Sequence, residues 1–247
     1  MSDSSGIPAR FVEAMSGIPG GQVLDVATGN GNFIRFLQAG LSEITELTGI
    51  DTHPPMIEAA KKAFADEPDV RFEIMEASEM SFADDSFDTV GIMASLHHFE
   101  DIDRVMAEVR RVLRPGGWLI VCEMHAAAPS DASRLAIELH QWAACVDRQL
   151  GAFHDPVFSK DELAGLLDRL ALRDERRVEW SDPEPQAIDP EAMERFVESL
   201  ERYESRLEGM ELPEVASIRE RGAEIRARLR TEPLGNQPFT IAVGRFE

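Results

Sequence analysis

Along the first half of the chain, short apolar runs alternate with stretches whose apolar residues recur every three or four positions. "QVLDV" at 22–26 reads as a strand, and "NFIRFLQAG" at 32–40 as a helix that stops at Gly40. "ELTGID" is a second strand, and "PPMIEAAKKAFAD" a second helix with proline tolerated in its first turn. "VRFEIME" at 70–76 and "FDTVGIMA" at 87–94 follow as third and fourth strands. Asp101 caps a helix running to Leu113, "RPGG" at 114–117 ends it, and "WLIVCEM" at 118–124 is the fifth strand. Strands alternating with helices at this spacing predict an α/β fold, a mostly parallel sheet with helices on both faces.

The pattern changes in the second half. Residues 130–151 carry Leu135, Leu139, Trp142, Val146 and Leu150 on one helical face. "SKDE" at 159–162 is a capping box that opens a helix to Leu170. "RRVEW" at 176–180 and "FTIAVGRF" at 239–246 complete seven strands. Between them, Asp189 caps and Pro190 opens a helix whose Met193, Phe196, Leu200, Tyr203, Leu207 and Met210 share a face. A second helix carries Leu212, Val215, Ile218, Ile225 and Leu229. The expected division is therefore 1–124 as a ligand-binding core, and 125–247 as the rest of the sheet with helical cap insertions at 125–170 and 189–231. The hairpin at 189–231 is expected to cover the acceptor side of a site. Burial of its apolar stripes against each other, or against the second subunit of a homodimer, is the alternative.

Composition narrows the function. Hydrophobic residues make up 43% and charged residues 29% of the 247, as in a globular domain. The net charge is -21, and Lys61, Lys62 and Lys160 are the only lysines. Such a surface repels phosphate backbones, which argues against nucleic acid as a partner. No run approaches the roughly 18 apolar residues of a membrane span. The opening "MSDSSGIPARF" has no apolar core of leader-peptide length. Cys122 and Cys145 are too few for a disulfide framework, so a cytoplasmic location is expected, with Cys122 in the apolar core.

Candidate chemistry concentrates in "LDVATGNGNF" at 24–33, an apolar strand, an acid and two glycines one residue apart. A sharp strand-to-helix turn needs positive φ, and a ligand that approaches the main chain must meet no Cβ. A dinucleotide fingerprint would put a third glycine at Ile34, and a phosphate loop would need Gly-Lys-Ser/Thr; neither is present. Strand two ends in Asp51, placed to accept both hydroxyls of a ribose, and strand three ends beside Glu76 and Ala77, which can meet an adenine edge.

These stretches, with "GIDTHPPMIEAA", "ASEMSFADDSFDTV", "SLHHFED" and "EVRRVLRPGGWLIV", resemble the class I S-adenosylmethionine-dependent methyltransferases. Within them the chain is similar to the small-molecule branch that includes the ubiquinone and menaquinone C-methyltransferases. The resemblance covers 22–124 and fades beyond it. It implies a Rossmann-like seven-stranded fold with a helical cap, S-adenosyl-L-methionine as cofactor and a small-molecule methyl acceptor. Carried over residue by residue, it places Asp25, Ala27, Thr28, Gly29 and Gly31 around the methionine moiety. Asp51 would hold the ribose, with Thr52 and Met56 beside the adenosine. Glu76 or Ser78 would face the adenine amino group, with Ala77 supplying main chain, and Met93 and Ala94 would lie near the sulfonium. Ala27 stands where glycine is usual, which implies a turn that needs no positive φ at that position.

Methyl transfer from a sulfonium is a direct displacement, so alignment and desolvation carry most of the catalysis. No HExxH or CxxC is present, and no metal is expected. A phenol, carbon acid or amine acceptor would need a general base. His97 and His98 follow strand four at the ligand end of the sheet, and His125 follows strand five. Packing or hydrogen bonding within the loop is the competing reading of each, and His140 is read as structural. Two rivals stand beside the methyltransferase: an NAD(P)-dependent oxidoreductase, against which the missing glycine counts, and a non-catalytic S-adenosylmethionine-binding subunit.

Overall fold

Residues 9–181 and 189–246 are described by the computed structural model. The opening stretch read for a leader peptide begins in residues 1–8, outside the described residues. Seven strands form one sheet in the order β3-β2-β1-β4-β5-β7-β6. They are β1 (Pro19–Val26), β2 (Ser42–Asp51), β3 (Val70–Ile74), β4 (Phe87–Met93), β5 (Leu113–Met124), β6 (Arg173–Trp180) and β7 (Phe239–Arg245). The pairs β2–β3, β1–β2, β1–β4 and β4–β5 are parallel. The α/β sheet expected from the alternating pattern is therefore present.

Helices α2 (Asn32–Gly40), α3 (Pro54–Ala63) and α4 (Ile102–Val112) connect the parallel strands. Asp101 caps α4 as expected, its carboxylate accepting from Arg104 N at 2.9 Å. The seven-residue α1 (Ala9–Met15) is too short to show a period in sequence. Its Phe11 is buried edge-on against Phe36 and Trp180, with centroids 5.3 and 5.7 Å away. "RPGG" follows the helix end at Val112 as an insertion in the strand pairing. Phe87 pairs with Leu113 and Thr89 with Trp118, so the register breaks there, and Gly116 takes φ +74°.

The arginines before that insertion fix a loop. Arg111 donates to the carbonyls of Met80 and Phe82 at 2.9 and 2.7 Å, and Glu108 accepts from Met80 N at 2.7 Å. Glu108 also pairs with Arg111, which holds its carboxyl below the usual range. The segment between β3 and β4 is thus tied to α4 by main-chain bonds.

The chain divides into two compact units: Met1–Glu123 with Ala164–Trp180 and Thr240–Glu247, and Met124–Leu163 with Ser181–Phe239. The first contains nearly all of the sheet. Its core includes Val23, Leu24, Val26, Ile50, Val90, Ile92, Leu119 and Ile120. The second unit is built on α5 (Asp131–Gln149), α7 (Pro190–Ser205) and α8 (Pro213–Leu229). The capping box appears as read, with Ser159 N donating to Glu162 at 2.8 Å and Glu162 N to Ser159 Oγ at 3.2 Å, at the start of α6 (Lys160–Arg169).

Within the second unit the three long helices bury their stripes on one another. Leu135, Trp142 and Val146 of α5 meet Met193 and Val197 of α7 and Val215, Ile218, Ile225 and Leu229 of α8. The Trp142 indole N–H donates to Ile218 O at 2.9 Å. Two positions depart from the expected stripes: Phe196 lies at the rim, 36% exposed, with Val197 in the interior, and Leu212 is exposed at the N-cap of α8.

Candidate functional site

The carboxyl ends of four strands come level. Val26 pairs with Ile50 on one side and Ile92 on the other, and Asp51 pairs with Ile74. Strand order reverses between β1 and β4, the place where open α/β sheets bind ligands.

The turn leaving β1 is wound tightly. Ala27, Gly29 and Gly31 all have positive φ, at 56°, 54° and 87°. Thr28 N donates to Ile50 O at 2.8 Å and Gly31 N to Thr28 O at 2.9 Å. Asp51 ties the turn to β2: one carboxylate oxygen accepts from Gly29 N at 2.9 Å, the other from His53 N at 2.8 Å. The two glycines have different causes. A Cβ on Gly29 would meet nothing within 4 Å among the described residues, whereas one on Gly31 would lie 2.6 Å from the Phe64 ring. Ala27 corrects the expectation that its position needs no positive φ. The chain must fold back at once to bring Thr28 N onto β2, and an alanine in this region carries roughly 1–2 kcal/mol of strain.

Asp25 is buried beneath the turn. One oxygen accepts from Thr28 Oγ1 at 2.6 Å, and the other has no hydrogen-bond partner among the described residues. Burial pushes this carboxyl up to about 7, against the bond from Thr28, and the charge of Asp51 adds to the lift. Thr52 and Met56 are exposed beyond the end of β2, Met56 at 45%. After β3, Ala77 is buried, while exposed Glu76 faces Ser78 N and Oγ at 3.4 and 3.5 Å. Met93 and Ala94 are half-buried at the end of β4, and Ala94 takes φ +50° as its N–H reaches Cys122 O at 2.8 Å. Burial pushes the Cys122 thiol up, as befits the core position read for it.

The candidate bases separate. His97 is buried, with Nδ1 3.1 Å from Glu123 Oε1, and Glu123 Oε2 accepts from Ser95 N and Leu96 N at 3.0 and 2.7 Å. His98 is exposed, its ring centroid 4.4 Å from that of His97. His125 is buried in the second unit and turned into its own loop, Nδ1 accepting from Ala127 N at 3.3 Å. Glu123 escaped the sequence reading, although an acid inside the apolar run "WLIVCEM" was the available signal.

The second unit holds another polar chain. His140 Nε2 lies 3.1 Å from His154 Nε2, and His154 Nδ1 2.9 Å from Asp147, which also accepts from Tyr203. Burial raises the Asp147 carboxyl, but bonds from His154 and Tyr203 outweigh it and hold the group below its usual range. His140 thus has polar partners at the edge of an apolar helix. Asp147 and His154 had no motif to mark them.

The model of a methyltransferase domain family matches residues 24–121, from the strand before the glycine turn to β5. Residues 24–121 are thus similar to a methyltransferase domain. The matched stretch contains the turn, Asp51, the β3 and β4 ends and His97. The chain is 40% identical over 109 residues to a ubiquinone/menaquinone biosynthesis C-methyltransferase of Desulfotalea psychrophila, covering 44% of each chain. It is 35% identical over 115 residues to a demethylmenaquinone methyltransferase of Thermotoga maritima, covering 47% of this chain and 48% of that one. The chain thus spans just under half the length of these curated relatives. Among solved structures, the YcgJ protein of a Bacillus shares the fold beyond the domain, with a TM-score of 0.58 at 19% identity over 97% of this chain and 96% of that one.

Proposed function

We propose that the chain is an S-adenosylmethionine-dependent methyltransferase that acts on a small organic acceptor. The observation that carries this reading is the left-handed turn at Ala27–Gly31, with Asp25 beneath it and Asp51 bonded to it, at the sheet's switch point within the stretch similar to a methyltransferase domain. The residues fit that cofactor. Asp25 has a buried oxygen without a partner among the described residues, suited to a cationic ligand group. Asp51 keeps further acceptor sites beyond its two main-chain bonds, for a ribose diol. Met56, in the helix after β2, and Ile74, at the end of β3, expose apolar surface suited to the faces of an adenine.

The cofactor, when bound, supplies a methyl group already activated for displacement. The protein's share is orientation and exclusion of water. The turn brings Thr28 and Gly29 main chain to the ligand, and the Ala94 bend sets Met93 and Ala94 beside it. His97 and His98 after β4, and His125 after β5, are the candidates to accept the proton that the acceptor gives up. The names of the relatives support a quinone-precursor ring as the first acceptor to try, and the acidic surface supports a small molecule over nucleic acid.

Calorimetry with S-adenosylhomocysteine tests the binding half. Micromolar affinity is expected, with no binding of NADH. Asp51→Ala should lose charge-assisted bonds worth roughly 1.5–3 kcal/mol each. Because Asp51 also holds Gly29, Asp51→Asn is the cleaner variant, with a smaller loss in the same direction. Unchanged affinity in both would remove Asp51 from the ribose.

A further inference from the structure

We propose that the open edge of β3 is an interface on which a second copy of this chain pairs, antiparallel and centred on Phe72. Among the described residues β3 is the last strand of the sheet and pairs with β2 alone. The bonds at its two ends fix which of its main-chain groups face β2. Leu47 N donates to Asp69 O at 2.9 Å, and Met75 N to Asp51 O at 3.1 Å. Odd-numbered residues therefore aim both main-chain groups at β2, and Val70, Phe72 and Ile74 aim theirs away from the sheet. Val70 N already donates to Glu67 O at 3.1 Å. The outward row thus offers the carbonyl of Val70, both groups of Phe72 and the N–H of Ile74, a template for another strand.

The residues of β3 select what that other strand is. "VRFEI" is apolar at 70, 72 and 74, with a cation at 71 and an acid at 73. Turned antiparallel about Phe72, a second copy sets Val70 opposite Ile74, Phe72 opposite Phe72 and Arg71 opposite Glu73. Phe72 then exchanges both main-chain bonds with its counterpart, and each Ile74 N donates to Val70 O of the other copy. Arg71 and Glu73 fall between those bonds, where opposite side chains come closest, so both cross-strand pairs join opposite charges. An in-register parallel copy would instead set Arg71 against Arg71. Both side chains are exposed. Arg71 also pairs with Glu46 at 3.0 Å, and its guanidinium has donors for a second carboxylate. The groove beside the strand carries Lys61 and Arg71 with Glu67 and Glu73, a local balance in a chain of net charge -21. Two copies meet here without turning that surplus on each other. The contact is isologous, so it closes at a dimer.

Charge reversal tests the pairing. Arg71→Glu sets acid against acid at both cross-strand pairs, and Glu73→Arg sets cation against cation. In a mixture of the two single variants every pair is again of opposite sign. Sedimentation velocity at about 0.15 M NaCl, where the screening length is roughly 8 Å, follows the association. The wild type should pass from monomer to dimer over about 1–300 µM, a range suited to a short edge. Each single variant should weaken association at least about tenfold, and their equimolar mixture should recover it as a mixed dimer identified by native mass spectrometry. Amide exchange in the wild type reads the register. Phe72 and Ile74 should gain protection as concentration rises, while Arg71 and Glu73, already bonded to β2, should not change.

A wild type that stays monomeric at the top of that range overturns the inference. So does a dimer that both reversals leave intact, or a pair of monomeric variants whose mixture stays monomeric. A dimer whose Phe72 and Ile74 amides exchange alike at every concentration also overturns it and places the interface on another face.

Discussion

Asp25 reports on the site through pH. Its folded value of about 7 lies above the unfolded 3.8, so between them the folded protein keeps a proton that the unfolded chain has released. Its contribution to stability is whole below the unfolded value and is lost as pH rises through about 7. Asp25→Asn removes that titration. Relative to wild type it should gain stability at pH 8 and much less at pH 5, measured by urea denaturation; an equal shift at both pH values would exclude the assignment. A ligand cation beside Asp25 favours the ionised form, so S-adenosylhomocysteine should bind more tightly at pH 8 than at pH 6, with proton release near neutrality. A flat profile would place the cation elsewhere. Ala27→Gly should relieve left-handed strain of about 1 kcal/mol, partly offset by the flexibility glycine adds to the unfolded chain, and leave cofactor affinity within about threefold. A clear loss of stability would show that the alanine methyl is needed in place. Gly29 and Gly31 were legible as a turn because glycine advertises positive φ. Ala27, in the same region, carried no mark, since strain held by the surrounding bonds does not show in residue type.

Helix ends were more legible than what the helices bury. The Asp101 and Asp189 caps and the Ser159–Glu162 box need only neighbours in sequence, and each appears where it was read. The apolar stripes of α5, α7 and α8 were also visible, but their partner was not, because period gives a face and not what lies opposite. Gly222 records that partner. It lies inside α8, where alanine would ordinarily favour the helix by about 1 kcal/mol. A Cβ there would lie 2.8 Å from Trp142 Nε1 and would strike Glu204, which pairs with Arg226 at 2.8 Å. Overpacking of this kind costs about 1–3 kcal/mol and exceeds the propensity gain. Gly222→Ala should therefore destabilise the protein and shift Trp142 fluorescence, whereas Gly165→Ala, with nothing within 4 Å of the added carbon, should be neutral or stabilising. A stabilised Gly222→Ala would mean that α8 does not approach Trp142 this closely. His154 and Asp147 belong with what could not be read, since their meeting depends on a turn of chain after α5 that has no periodic signal.

Charge acts on the whole molecule. Asp and Glu number 46 against 25 Lys and Arg, a surplus of 21 negative charges. Ion pairs such as Arg230–Glu194, Arg134–Asp131 and Lys61–Glu58 sit at the surface, where water and salt screen them and each contributes little. Added salt weakens these attractions and also weakens the repulsion among the surplus acids. The surplus decides the sign, because every cation could be paired and 21 acids would still repel one another. Thermal stability should therefore rise as NaCl increases from about 0.02 to about 0.5 M, the range over which the screening length falls from roughly 20 Å to roughly 4 Å. KCl should act alike, since screening does not distinguish the two cations. The same field repels phosphate, so the protein should not be retained by immobilised double-stranded DNA even at the low end of that range. The expected rise is smaller at pH 5, where more carboxyls are neutral. A Tm that falls with salt at pH 8 would show that the arginine pairs outweigh the surplus. A rise in KCl but not in NaCl would point to ion binding rather than screening.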